Sequence, residues 1–429
     1  MERHAARLVV RNGTFFDAPA ATMSEQRTAV VDGGRISWIG PDAECVSQPD
    51  DIVIDASGHT VLPGLIDCHV HLSLDATPQR ERMYLRTRTD QWHYYALANA
   101  QKHLAAGFTC VRDCGDEYGL WSPALRATFD AGVLPGPRLL VATIPIAQWG
   151  NQEAIHPRAL VDDTRRHNEV LTGVDGVRHA VRERAFLGAD FIKTLTTGGV
   201  LHGMASGVGT SLFTPEELAA MAEEAHRIGK RVACHAHGVA GIRAAVEAGI
   251  DTIEHGSLLD DETADLMVER GTWLVPTQSA GIGLSEPEVT AQLPPEVVAK
   301  TRAVMERLID NHKSAFERGV RFALGTDAGT PGNPHGRTAK EIERMVANVG
   351  MSPAEALQTA TIRSAEAIGM EGLIGSLEPG KAADMVICTT NPVDDIASLQ
   401  DQTNIAWVIK NGKVVARHGV IEFDPRIGE

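Results

Sequence analysis

Two imidazoles, His69 and His71, end the apolar run Val61-Leu62-Pro63-Gly64-Leu65-Ile66-Asp67-Cys68-His69-Val70-His71-Leu72. In a strand, side chains two residues apart share a face. Two nitrogen donors on one face, at a strand's C-terminal end, suit a divalent transition metal. A lone His-x-His pair is commonly a surface or structural doublet, so metal binding needs further donors at the same level. The chain offers them in other apolar, β-branched segments. Lys193 lies in Phe191-Ile192-Lys193-Thr194-Leu195-Thr196-Thr197-Gly198-Gly199. His235 and His237 lie in Val232-Ala233-Cys234-His235-Ala236-His237-Gly238, and His255 in Thr252-Ile253-Glu254-His255-Gly256. Asp327 follows Phe322-Ala323-Leu324-Gly325-Thr326. Taken singly, the lysine snorkels to the surface, the aspartate caps a turn and His255 is a satisfied core histidine. Taken together, five strands carry a donor at the same end, which points to a metal centre.

The elements that must position these donors follow a pattern. Apolar, β-branched segments occur at 64–72, 108–114, 137–142, 189–195, 231–237, 251–255, 272–277 and 321–327, with helical stretches between most of them. Thr214-Pro215-Glu216-Glu217 and Ser352-Pro353-Ala354-Glu355 are capping boxes with proline at the first helical position. The second opens an apolar-periodic helix through Leu357, Ala360, Ser364 and Ile368. Strands alternating with helices over roughly 300 residues predict an α/β fold, a parallel (β/α)8 TIM-type barrel with its chemistry at the strands' C-terminal ends.

Both ends of the chain have a different texture. Thr28–Gly40 reads as a hairpin around Asp32-Gly33-Gly34, and Ile405–Val415 as one turning on Asn411-Gly412. The predicted organisation is a small β-sandwich built from both termini (1–60 and 376–429) around a barrel at 61–375. The stretches 143–170 and 196–213 are the loops expected to set specificity.

Composition bounds the partners. A formal net charge of −16 argues against nucleic acid and against anionic membranes, since phosphate binding needs clustered lysine and arginine. No segment reaches the roughly 18 consecutive apolar residues of a spanning helix. The six cysteines are scattered without a Cys-x-x-Cys and read as buried free thiols of a reducing, cytoplasmic compartment.

The ordered set of motifs resembles the metal-dependent amidohydrolase superfamily over nearly the whole chain. Pro63–His71 is similar to its first-strand signature. Lys193 with Thr-Gly-Gly, then His-Ala-His-Gly, Glu-His-Gly and Gly-Thr-Asp-Ala-Gly, most resembles the Xaa-Pro dipeptidase and carboxypeptidase branch, together with the ochratoxin-hydrolysing amidohydrolases. The resemblance implies two divalent metal ions, with zinc the ion of first choice. His69, His71 and Asp327 would hold one ion, and His235 and His255 the other. Lys193 would bridge them as a CO2-derived carbamate, because an ammonium beside two dications is repelled while a neutral amine can capture CO2. A metal-bridging hydroxide would attack the scissile carbonyl, and Asp327 would move its proton to the leaving nitrogen. The implied substrate is a small amide or dipeptide cleaved next to a free carboxylate, and the implied assembly is a homo-oligomer.

Other positions are weaker. His235 and His237 share a face, so periodicity does not choose between them. The resemblance selects His235 as ligand and leaves His237 to hydrogen-bond substrate or to support the site. Arg112, in Val111-Arg112-Asp113-Cys114-Gly115, is a candidate carboxylate clamp, weighed against a structural salt bridge to a barrel carboxylate. Gly198 and Gly199 could admit substrate backbone, and His202, His335 and Arg337 fall in predicted loops. Rival activities on the same scaffold are cyclic-amide opening of the imidazolonepropionase kind and deamination. Those relatives typically run one metal without the strand-four lysine, so Lys193 tells against them. A catalytically dead scaffold relative usually loses ligands, and this chain keeps all six.

Overall fold

The computed structural model describes residues 6–79, 83, 86–115, 120–148, 172–201 and 207–423. The two termini meet in one mixed nine-stranded sheet. Its N-terminal strands are β1 (Leu8–Asp17), β2 (Thr22–Asp32), β3 (Arg35–Pro41), β4 (Ile52–Asp55) and β5 (Thr60–Pro63). The C-terminal strands β14 (Met385–Cys388), β15 (Ile405–Lys410), β16 (Lys413–Arg417) and β17 (Val420–Ile421) complete it, with eight strands of the middle segment between the two sets. The two expected hairpins are present. Gly33 and Gly34 take φ of 55° and 78°, and Asn411 and Gly412 take 47° and 73°. Two successive left-handed residues give the tight turn that matches strand twist.

The strands from both termini form one continuous hydrogen-bonded sheet. The reason is β5, which pairs with β1 on one side and β14 on the other, joining the N- and C-terminal parts. Register shifts between β1 and β2 bend the sheet around a core of Val10, Phe15, Val31, Ile36, Met385 and Ile409.

Each of the eight predicted middle segments contains a strand. The strands are β6 (Leu65–Val70), β7 (Phe108–Asp113), β8 (Arg138–Val141), β9 (Ile192–Leu195), β10 (Val232–Ala236), β11 (Thr252–His255), β12 (Trp273–Val275) and β13 (Arg321–Phe322). They pair in parallel as two arcs, β6-β7-β8 and β9-β10-β11-β12-β13. Hydrogen bonds join the arcs at both seams. Ile146 bridges to Thr194 beyond β8, and Val70 bridges to Ala328 beyond β13. At the second seam Cys68 N also donates to Leu324 O at 2.8 Å.

Helices cover the arcs. Pro215–Arg227 forms behind its capping box, with Thr214 and Glu217 exchanging hydrogen bonds, and buries Leu218, Met221, Ala222 and Ala225. The helix expected to run on to Ile368 is corrected to two, Pro353–Thr359 and Ile362–Ile368. The carbonyls of Thr359 and Ala360 accept from the amides of Leu324 and Ile66, at 3.0 and 2.8 Å. Turned toward the strands, they cannot continue the helical ladder. Five cysteines are buried, Cys45 is half-buried, and all six are free thiols. Among the described residues no helix is long and apolar enough to cross a membrane.

Candidate metal centre

One cavity collects the donors that the sequence scatters over 259 positions from His69 to Asp327: its walls include His69, His71, Lys193, His235, His237, His255 and Asp327. His69 sits in β6, Lys193 in β9, His235 in β10 and His255 at the end of β11. The backbone is locally forced to bring them together. His255 and Asp327 both take left-handed φ, 70° and 58°. Such conformations are costly outside glycine and cluster at functional sites. Gly325 permits the approach of the last segment, since a Cβ there would lie 2.3 Å from Val275 and 2.9 Å from the His69 Cβ.

The donors fall into two overlapping groups. Asp327 Oδ1 lies 3.5 Å from His69 Nε2 and 3.4 Å from His71 Nε2. His69, His255 and Asp327 offer ligand atoms within 4.8 Å of one another, and so do His235, His237 and His255. His255 belongs to both groups. The trio contains both His235 and His237, so the geometry keeps the two histidines equivalent as possible ligands.

Ring orientation is fixed from behind. His69 Nδ1 is 2.6 Å from Glu254 Oε2, and His255 Nδ1 is 2.6 Å from Thr277 Oγ1. Both contacts leave Nε2 for the site, the arrangement that supports metal-bound histidines. His237 Nδ1 is 2.9 Å from Ser257 Oγ. Burial, followed by nearby positive charge, holds His69 and His255 well below the ordinary imidazole range, and His237 is pushed down to about 3 by the same causes. Neutral imidazoles keep the lone pair a metal needs, so the donor set fits divalent ions.

Asp67 is a further element that sequence reasoning passed over. Its carboxylate accepts from Thr326 Oγ1 at 2.7 Å, His69 N at 3.0 Å and Thr326 N at 3.1 Å. It ties β6 to the segment that delivers Asp327. Burial pushes it up to about 7 against those hydrogen bonds.

The carboxylate clamp expected of Arg112 is not what the structure holds. Arg112 is buried below the cavity, with Nη2 2.7 Å from Glu254 Oε1 and Nε 2.5 Å from Cys68 O. Its guanidinium is spent on Glu254, linking β7 to β11, as the competing salt-bridge reading has it. His335 is also buried away from the cavity, 2.9 Å from His103 and 3.0 Å from Leu74 O. Arg337 is exposed, and Gly198 and Gly199 are buried. His202 and most of the expected specificity loop 143–170 lie outside the described residues.

The buried histidines, Lys193 and Asp327 at the ends of parallel strands give the site the character of a metal-dependent hydrolase. The chain belongs to the amidohydrolase family, whose model matches residues 60–415. It is a hydrolase of amide bonds, in the branch that includes dipeptidases. An ochratoxinase of Aspergillus niger is 31% identical over 410 residues, covering 91% of this chain and 83% of its own. A Xaa-Pro dipeptidase with methionine bound in its active site superposes with a TM-score of 0.85 at 35% identity, covering 95% of this chain and 99% of its own. A prolidase complexed with N-methylphosphonate-L-proline gives a TM-score of 0.87 at 30% identity, covering 96% and 100%.

Proposed function

We propose that the protein is a binuclear metal-dependent amidohydrolase that cleaves an amide or peptide bond next to a free carboxylate. Dipeptides such as Xaa-Pro and N-acyl amino acids are the substrate classes in view. The observation that carries this reading is Lys193, buried on β9 in the same cavity as the histidines and Asp327. The named activities of the ochratoxinase and prolidase relatives support the amide and the neighbouring carboxylate. The two strand arcs, joined at both seams, are read as a closed (β/α)8 barrel.

His69, His71 and Asp327 would hold one ion, His235 and His255 the second, and Lys193 would bridge them as a carbamate. Bound there, a metal pair supplies an activated water and a polarised scissile carbonyl. Asp327 accepts the proton of the attacking water and returns it to the leaving nitrogen as the C–N bond breaks. The products are a carboxylic acid and an amine. If Ser257 Oγ donates to Nδ1, His237 carries its hydrogen on Nε2 and can donate it to the substrate carboxylate.

The test is to purify the protein with zinc and bicarbonate and screen N-acyl amino acids, Xaa-Pro dipeptides and imidazolones. Two metals per chain and turnover of the first two classes are expected. Activity on imidazolones alone, or one metal per chain, sinks the proposal.

A further inference from the structure

Between β12 and β13 the chain inserts three helices, Gln278–Ser285, Pro287–Thr290 and Pro295–Glu317, where a single crossover helix suffices to connect parallel strands. Of the inserted residues only Ala315 and Phe316, at the end of the long helix, join the main core. Leu284, Val304 and Leu308 pack with Val200, from the segment after β9, in an apolar cluster of their own. That cluster lines the cavity that holds the metal-ligand candidates. On the long helix, Thr301, Val304, Met305 and Leu308 fall at helical spacing on one face and all border the cavity.

The cavity therefore has two chemistries. Its floor carries the histidines, Lys193 and Asp327. Its described wall is aliphatic, and the hydroxyls within it are engaged by the protein. Thr301 Oγ1 donates to Val297 O at 2.8 Å, Thr330 Oγ1 to Asp327 O at 2.7 Å, and Thr277 and Ser257 hold His255 and His237. A carboxylate placed against this wall loses water and finds the Thr301 and Thr330 donors already taken, whereas an apolar group gains from burial.

We propose that this inserted helical wall selects substrates in which a residue flanking the scissile amide carries a bulky apolar side chain, of leucine, methionine or phenylalanine size. Glycine, serine and aspartate at that position are poor substrates. The proposal rests on the amide-hydrolase reading of the floor and adds the side-chain class that the wall admits. Ala280, in the first inserted helix, also borders the cavity, so a larger side chain there fills the space the substrate side chain needs.

Two substrate series on the zinc-loaded protein test this, each varying one side chain: N-acetyl-X and X-proline, with X as glycine, aspartate, leucine or phenylalanine. In at least one series kcat/KM for leucine and phenylalanine should exceed that for glycine by about tenfold or more, with aspartate lower still. Ala280→Leu, verified to hold as much metal as the wild type, should lower the phenylalanine-to-glycine ratio at least about tenfold. Calorimetry with free L-phenylalanine, glycine and L-aspartate supplies a readout independent of turnover, with phenylalanine expected to bind at least about tenfold tighter. Turnover with flat profiles in both series, and equal binding of the three amino acids, overturns the wall proposal while the amidohydrolase reading stands. Selective phenylalanine binding that Ala280→Leu abolishes, without turnover in either series, upholds the wall and overturns the proposed cleavage next to a free carboxylate.

Discussion

Glu254 Oε2 lies 2.6 Å from Nδ1 of His69, with both side chains buried. The other carboxylate oxygen takes the Arg112 guanidinium at 2.7 Å and the Thr252 hydroxyl at 2.5 Å. The glutamate therefore sets which His69 nitrogen faces the cavity, and Arg112 holds the glutamate in place. Glu254→Gln keeps an acceptor for Nδ1 but removes the charge. It should weaken metal affinity about 10–100-fold, read by chelator competition. Arg112→Met leaves a buried carboxylate without its cation and should cost about 3–5 kcal/mol in urea unfolding. The double variant Arg112→Met/Glu254→Met should lose less than the sum of the single losses. Strict additivity would show that the two residues do not act as a pair.

Lys193 is the residue on which the binuclear reading turns. Lys193→Ala should lose metal and activity together. Short carboxylic acids added to the variant should restore part of both, because a free carboxylate can occupy the place proposed for a carbamate on Lys193. Metal content and turnover, each measured against added acetate and propionate, check this. Wild-type metal content in the variant argues against any bridge at Lys193.

The strands and donors were legible because alternation and strand ends are local properties. Each predicted segment became one of β6 to β13, and the donors predicted on five of them share one cavity. What sits behind the donors was not legible. Simple alternation puts Glu254 and His255 on opposite faces. The left-handed φ of 70° at His255 breaks that rule, so both residues reach toward His69. Arg112 was ambiguous for a related reason: its partner is 142 positions away, and only the tertiary fold brings the two together. The break in the last helix pair was hidden because Thr359 and Ala360 give their carbonyls to distant strands. Periodicity records which face is apolar but not which backbone group is taken.

Thr277 tests whether backbone strain serves the site. It is β-branched yet sits at φ 46° and ψ 42°, with its hydroxyl 2.6 Å from His255 Nδ1. A non-glycine residue in that region costs on the order of 1–3 kcal/mol. Glu341 holds the following turn by accepting from the amides of Gln278 and Ser279, at 2.7 and 2.8 Å. Thr277→Gly relieves the strain but releases the histidine. Its unfolding free energy should stay within about 1 kcal/mol of wild type, while metal affinity falls about tenfold or more. Thr277→Ser keeps the hydroxyl and should retain the metal. Equal losses in the serine and glycine variants would show that the hydroxyl does not orient His255.

The carboxyl of Asp67 gives a pH signature of its own. In the folded protein it is pushed up to about 7, by burial that outweighs its hydrogen bonds from Thr326 and His69, against an ordinary aspartate value of 3.8. Between those two values the folded state keeps a proton that the unfolded chain has released. Stability from this group therefore falls as pH rises from about 4 to about 7, and is level above that. Asp67→Asn removes the titration and keeps one carbonyl oxygen to accept from the amides of His69 and Thr326. Buried neutral histidines such as His237 act in the opposite sense below their unfolded value, so the informative quantity is the difference between variant and wild type. In urea unfolding with chelator present, that difference should move in the variant's favour from pH 4.5 to pH 7 and then stay constant. A difference that is the same at every pH would mean that Asp67 is already ionised throughout, held so by Thr326 and the His69 amide.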